Sequence, residues 1–358
     1  MAIFKPILMP PQKTLLLSES LNDPEWCFQI SRIKSFRKSQ EMLGVSKQTS
    51  ELLTAAWRQG TQSAYNSCWE HWARWCNQQQ TDPFCAPVES VANFLSSFFQ
   101  KGYEYRTINN YRSAISAFHV GVNGQKMGQI SLIKQVMKGA FNSRPPLPRY
   151  NETWDVDKVL KHLEGIGENQ NLSLKELTFK TLTLMALTSA SRVSELQKLD
   201  IRFMNVHNDE IVFTITQLTK TRTANNKPLK INFPKLDRDK LDVYSCIIEY
   251  IKRTEQFRGE EHQFFISYTK PHKGVKPCTL AGWLKSMIGM AGIDTNVFKA
   301  HSTRGASTSK AFKFGLSIGQ IMSRANWKSV GTFNRFYNKP VDTQNEFADK
   351  VLKIAANV

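Results

Sequence analysis

For most of its first half the chain carries its apolar residues at the spacing of one helix face. Tyr65, Trp69, Trp72 and Trp75 follow one another at intervals of four, three and three residues, which predicts a helix with its aromatic face buried. Leu52, Leu53, Ala56 and Trp57 mark a preceding helix. Val91, Phe94, Leu95 and Phe98 mark the one that Pro87 opens, and Ile108, Tyr111, Ile115 and Phe118 another. A shorter helix is expected around Ile130 to Met137. The tryptophans could serve as a base-stacking platform, but at helical spacing they read as core.

The sequence Ser143-Arg144-Pro145-Pro146-Leu147-Pro148-Arg149 then interrupts the pattern. Three prolines in four residues cannot continue a helix and favour an extended, semi-rigid path. This divides the chain into an N-terminal extension (1–45), a helical domain (46–142), a linker (143–150), a second domain (151–340) and a terminal segment (341–358). Arg144 and Arg149 flank the prolines, as a linker lying across phosphates would require.

Beyond the linker the periodicity changes. A helix is expected to begin at Thr153-Trp154-Asp155, and Leu174 to Leu187 reads as a strongly apolar helix. Ile211, Phe213 and Ile215 alternate with more polar residues, as do Leu229, Ile231 and Phe233, so a β-hairpin with a turn at Arg222 to Asn226 is predicted. Helical patterns resume at Asp239–Gln256, Cys278–Ala291, Ala300–Phe314, Ser317–Arg324 and Ser329–Tyr337. The fold class is therefore mainly α with one small antiparallel sheet. In Asp342–Ala356, Phe347, Val351, Leu352 and Ile354 give a terminal helix an apolar stripe, suited either to its own domain or to a neighbouring subunit.

Composition narrows the function. The 358 residues suffice for two ordinary domains. Lys plus Arg is 48 against 30 acidic residues, a net charge of +18. Residues 1–150 hold 17 basic and 9 acidic residues (+8), leaving 31 and 21 (+10) for the rest. Both halves are basic without a charged tail, which suits a protein that grips a polyanion with both domains. No apolar stretch reaches the roughly 18–20 residues that span a bilayer, no signal peptide is evident at the start, and no strongly cationic amphipathic segment suggests a membrane surface. The six cysteines form no C-x-x-C pair, so zinc spacing is absent and reduced intracellular thiols are expected.

Breaking a phosphodiester without metal needs a nucleophile, cations on the non-bridging oxygens, a proton donor for the leaving oxygen, and orientation. The second domain holds a candidate for each. Arg192 lies at the end of the apolar helix, with Glu195 three residues on, expected on the same helix face and able to orient it. Lys220 is expected at the hairpin tip, where a lysine on a mobile turn can protonate a leaving oxygen; Arg222 and Lys227 are nearby. His301 and Arg304 share the spacing of one helix face, and the guanidinium fork matches two phosphate oxygens. Trp327, between two predicted helices, carries an N–H that donates without exchanging a proton. Tyr337 ends the last helix; an unperturbed tyrosine has a pKa near 10, so only about one in a thousand is ionised at pH 7 and neighbouring cations are needed to activate it. Taken singly, these residues also read as a surface ion pair, a solvated lysine, a helix-surface pair, a core tryptophan and an aromatic anchor.

Their order is more specific. Arg192 to Lys220 is 28 residues, Arg304 to Trp327 is 23, and Trp327 to Tyr337 is 10. This series resembles the tyrosine recombinases, whose order is Arg, Lys on a β-turn, His-x-x-Arg, His or Trp, then Tyr, and which share their chemistry with type IB topoisomerases. The resemblance covers about 150–340, with a helical bundle of suitable length before it. Phe298 to Lys310, Phe265-Ile266-Ser267-Tyr268 and Phe333-Asn334-Arg335-Phe336-Tyr337 look most like recombinases of eukaryotic mobile elements, the DIRS-like and crypton groups. Bacterial members often have a large apolar residue where Thr303 stands, and one residue fewer between Trp327 and Tyr337.

The resemblance implies a SAM-like core DNA-binding domain and a catalytic domain that clamp double-stranded DNA. Arg192, His301, Arg304 and Trp327 would hold the scissile phosphate, Arg144, Arg149 and Arg222 would add DNA contacts, and Tyr337 would form a 3′-phosphotyrosyl bond. Lys220 would give the 5′-oxygen its proton. It further implies no metal or other cofactor, a dimer on each site, a tetramer in the synaptic complex, and a nuclear location. A type IB topoisomerase would use the same residues to relax supercoils, and a transposon-derived DNA-binding protein would tolerate their loss. A metal-dependent transposase would need a carboxylate triad on a larger sheet, which the pattern lacks.

Overall fold

The computed structural model describes residues 44–147, 152–238, 240–327 and 329–331, with Ile33, Phe36, Arg37, Gln40, Glu41 and Phe333. Arg149, Tyr337, the terminal helix and most of the N-terminal extension lie outside the described residues. The chain divides into two compact units at Leu147.

In the first unit α1 (Lys47–Ala55), α2 (Gln59–Gln78), α3 (Val88–Gln100), α4 (Tyr105–Phe118) and α5 (Ser131–Ser143) enclose an aromatic core. The tryptophan face of α2 is buried as its period predicts, with Trp69 and Trp72 inside and the Trp72 indole donating to the Pro83 carbonyl at 2.9 Å. The helix that Leu52 and Leu53 mark forms as α1, but its buried face is polar. Leu52 is 74% exposed, whereas Ser50 and Thr54 are buried. The Thr54 hydroxyl donates to the Glu51 carbonyl at 2.7 Å and accepts from the Arg37 guanidinium at 3.0 Å. Satisfied hydroxyls carry little burial penalty, so this polar face could turn inward.

The second unit is built around α7 (Leu174–Ser189), in which every residue from Leu177 to Ala186 is buried. A helix buried on every side belongs at the centre of a domain, provided its polar side chains are hydrogen-bonded. Ser173 and Glu176 cap its start reciprocally, the Ser173 hydroxyl accepting from the Glu176 amide while the carboxylate accepts from Ser173. Within it, Thr178 and Thr183 donate to carbonyls four residues back, and the buried Lys180 ammonium donates to the Gly167 carbonyl at 2.8 Å. Around α7 lie α9 (Val243–Arg258), α10 (Pro277–Met290) and α11 (Ser302–Lys313), with α6 (Val156–Gly165) alongside α10 and α11.

The sheet has three antiparallel strands in the order β1 (Met204–Val206), β2 (Glu210–Ile215), β3 (Leu229–Pro234). Ile211 pairs with Phe233, Phe213 with Ile231 and Ile215 with Leu229, so the two alternating runs share one buried face. The predicted hairpin thus gains a third strand. The predicted turn is part of a longer connection, residues 216–228. The short helices α8 (Val193–Leu196) and α12 (Ile318–Arg324) complete the frame.

Candidate active site

The apolar helix α7 ends because Ala190 adopts left-handed backbone, φ 49°. For an L-residue this costs about 1–2 kcal/mol, offset by packing of Ala190 in a small cluster with Ile321, Ala325, Trp327 and Phe333. The chain then extends through Arg192 (φ −74°, ψ 147°), which caps α8 instead of lying on the same helix face as Glu195, as the spacing suggests. Glu195 is 2% exposed and accepts twice from Arg192, from the amide at 2.8 Å and from Nη1 at 2.6 Å. One carboxylate therefore fixes both the backbone and the guanidinium of Arg192, with the fork's remaining donors available for an oxyanion.

Arg304 lies in the first turn of α11 and is 2% exposed. Its guanidinium sits 4.8 Å from the Trp327 ring centroid and donates through Nη2 to the Ala325 carbonyl. A planar cation over an indole gains from the ring's negative face. Trp327 is buried against Phe333, with centroids 5.6 Å apart. His301 is the exposed residue immediately before α11; its backbone is already helical (φ −66°, ψ −23°), so it stands one turn ahead of Arg304.

Lys220 is exposed, but its loop is not a free hairpin tip. Thr219 is buried, the Lys198 ammonium donates to the Leu218 carbonyl, and the Asn326 amide donates to the Thr221 hydroxyl at 2.9 Å. Arg222 turns back on the loop itself, donating to the Thr216 and Gln217 carbonyls. Arg144 is likewise engaged in its own unit. Its guanidinium donates to the Phe99 and Tyr103 carbonyls at 3.0 and 2.8 Å and stacks over the Phe99 ring.

These pieces meet at one turn. Ala325 accepts from Arg304 and packs beside Ala190; Asn326, left-handed at φ 50°, holds the lysine loop; Trp327 follows directly. A cavity of about 390 Å³ opens beside it, lined by Ser191, Glu195, Asn232, Arg324 and Asn326 among others. Arg324 clasps the frame from α12, its Nε donating to the Thr188 carbonyl at 2.9 Å and its Nη2 to the Asn232 carbonyl at 2.9 Å. Burial lowers the pKa of this guanidinium, with Glu210 opposing. Sequence reasoning overlooked Arg324, Asn326 and Thr221. Asparagine tolerates left-handed backbone better than most residues, the one local signal that a turn stood before Trp327.

Among the described residues no group of three or more His, Cys, Asp or Glu is placed to hold a metal ion. None of the described helices is long and apolar enough to cross a membrane.

The profile of the phage integrase family matches residues 155–343, more than half of the chain and the whole span from Arg192 to Trp327. The chain belongs to the phage integrase family. It is a tyrosine recombinase, an enzyme that breaks and rejoins DNA strands. This recombinase is similar in fold to the Tn1549 transposon integrase solved with transposon right-end DNA (TM-score 0.56, 14% identity, 91% of this chain and 100% of that one). It is similar also to the XerH site-specific recombinase bound to palindromic difH substrate, a post-cleavage complex (0.55, 16%, 98% and 91%). The lambda integrase tetramer bound to a Holliday junction resembles it too (0.53, 14%, 92% and 82%). At such identities these likenesses concern the fold. No curated protein matches this recombinase.

Proposed function

We propose that this recombinase serves a mobile element, cutting each strand through a 3′-phosphotyrosyl bond to Tyr337. Arg192 and Arg304 neutralise the non-bridging oxygens as charge builds on the phosphorane, and His301 and Trp327 hydrogen-bond the same phosphate. Lys220 gives the departing 5′-oxygen its proton. A 5′-hydroxyl from another strand then reverses the step, so bond energy is conserved without ATP. The observation that carries this reading is the Ala325–Asn326 turn, which contacts Arg304 and the lysine loop, packs beside Ala190 two residues before Arg192, and precedes Trp327.

The helical domain (46–142) and the catalytic domain (151–340) each contribute basic surface to the duplex, through phosphate contacts whose affinity falls steeply with salt. The reading extends to a dimer on each site, a tetramer in the synaptic complex, an affinity with DIRS-like and crypton elements, and a nuclear location. The sequence around His301 and Tyr337 supports the last two, and the apolar stripe of the terminal segment supports assembly.

The test is covalent capture in EDTA from a pool of nicked duplexes with randomised sequence. Wild-type protein should yield DNA adducts stable on a denaturing gel, and Tyr337→Phe none. Capture of no duplex by wild type, or equal capture by Tyr337→Phe, would contradict the proposal.

A further inference from the structure

We propose that Asn326 is a positioning residue for the leaving-group acid: by holding Thr221 it sets where Lys220 meets the departing 5′-oxygen. The inference rests on the reading of Lys220 as that acid and adds what aims it.

The geometry is local and redundant on the loop's own side. Lys198 pins Leu218, Thr219 is buried, and the Arg222 amide donates to the Thr219 carbonyl at 3.2 Å, closing a turn around Lys220. The Asn226 amide reaches the Thr221 carbonyl at 3.4 Å, and Arg222 folds back on Thr216 and Gln217. All of these bonds shape the loop. The bond from Asn326 to Thr221 does something different: it joins the loop to the turn preceding Trp327, spanning 105 positions of sequence. Asn326 also borders both the cavity beside Glu195 and a second one of about 320 Å³ under the loop, so it stands between the lysine's support and the arginines' support.

The backbone of the same turn holds Arg304 through the Ala325 carbonyl. One rigid dipeptide thus couples the group that stabilises charge on phosphorus to the group that protonates the leaving oxygen. In the cleavage step Tyr337, its phenol proton already lost to solvent, attacks as the phenolate: its oxygen forms a bond to phosphorus, the P–O5′ bond breaks, and the Lys220 ammonium proton passes to O5′. A lysine one ångström out of place leaves binding of DNA intact but leaves the alkoxide unprotonated; misplacement of that size costs about 10²-fold.

The test compares a duplex that wild type cleaves with the same duplex carrying sulfur in place of the bridging 5′-oxygen. A thiol has a pKa of about 8.5, so a thiolate departs without an acid. Asn326→Gly removes the side chain while suiting the left-handed backbone, Thr221→Val removes the hydroxyl, and Thr221→Ser keeps it. Asn326→Gly and Thr221→Val should cleave the oxygen duplex about 10- to 100-fold more slowly and the sulfur duplex close to the wild-type rate, with Thr221→Ser near wild type on both. Equal slowing on both duplexes, or no slowing on either, overturns the proposal. Lys220→Ala separates the two levels. If sulfur rescues Lys220→Ala but not Asn326→Gly, the positioning role alone fails; if Lys220→Ala is not rescued, the acid assignment fails and the positioning role with it.

Discussion

The Arg304 guanidinium lies over the Trp327 indole, 4.8 Å from its ring centroid, although 23 residues separate the two in sequence. The tryptophan holds the buried guanidinium against its ring, and the Ala325 carbonyl accepts from the same guanidinium. Arg304→Lys keeps the charge but loses the fork and the stacked plane, so the rate of adduct formation should fall by about 10²–10³. Trp327→His, which keeps a ring donor, should retain more activity than Trp327→Phe, which keeps the ring alone. Single-turnover cleavage rates, read beside each variant's melting temperature, check the order.

Arg324 joins α12 to the end of α7 and to β3 through the Thr188 and Asn232 carbonyls. Arg324→Met would leave those carbonyls without this donor. Hydrogen bonds to charged groups contribute about 1.5–3 kcal/mol each, so urea unfolding should show a loss of about 3 kcal/mol or more. A variant as stable as wild type would contradict the assignment of Arg324 as the clasp of the site.

His119 offers a pH dependence of known sign. Its Nδ1 accepts the Gly121 amide at 3.0 Å and its Nε2 faces the Ala86 carbonyl at 2.9 Å, an arrangement made by the neutral ring. Burial is the main reason its pKa lies below the ordinary 6.5; the Ala86 bond and Asp82 oppose it. The unfolded chain therefore binds this proton more readily. The histidine's contribution to stability is present above the unfolded value and is lost as pH falls through 6.5 towards the folded value. Urea unfolding followed from about pH 8 to about pH 5 should show wild type losing stability over that window, with a shallower loss in His119→Gln. Parallel curves would contradict it.

How legible was all this in the sequence? The hairpin was, because Phe213 and Ile231 face each other on a buried sheet surface and leave a period-two signature. Strand β1 was not: it has three residues, and two of them are exposed. The helix marked by Leu52 and Leu53 was legible, but not its buried face, which is made of hydroxyls satisfied by Glu51 and Arg37. The family was readable in the order and spacing of Arg192, Lys220, His301, Arg304, Trp327 and Tyr337. Their support was not, since the Asn326–Thr221 bond and the left-handed Ala190 leave no periodic trace.

Burial pushes the Cys246 thiol up to about 11, Asp242 adding to the shift while Lys180 and Asn169 oppose it. The thiolate is the form that alkylates. Iodoacetamide on the native protein should therefore label exposed Cys278 and spare Cys246, with both labelled in urea. Peptide mass spectrometry reads the two sites together, and labelling of Cys246 as fast as Cys278 would contradict the buried, neutral thiol.

The central claim is that the DNA becomes bonded to one phenol. Adducts captured in EDTA, trimmed with nuclease and digested with trypsin, should yield a single nucleotide-bearing peptide beginning at Phe336, with the phosphate on Tyr337 and a 5′-hydroxyl on the released strand. A phosphate mapped to any other side chain, or a 5′-linked adduct, would contradict the account.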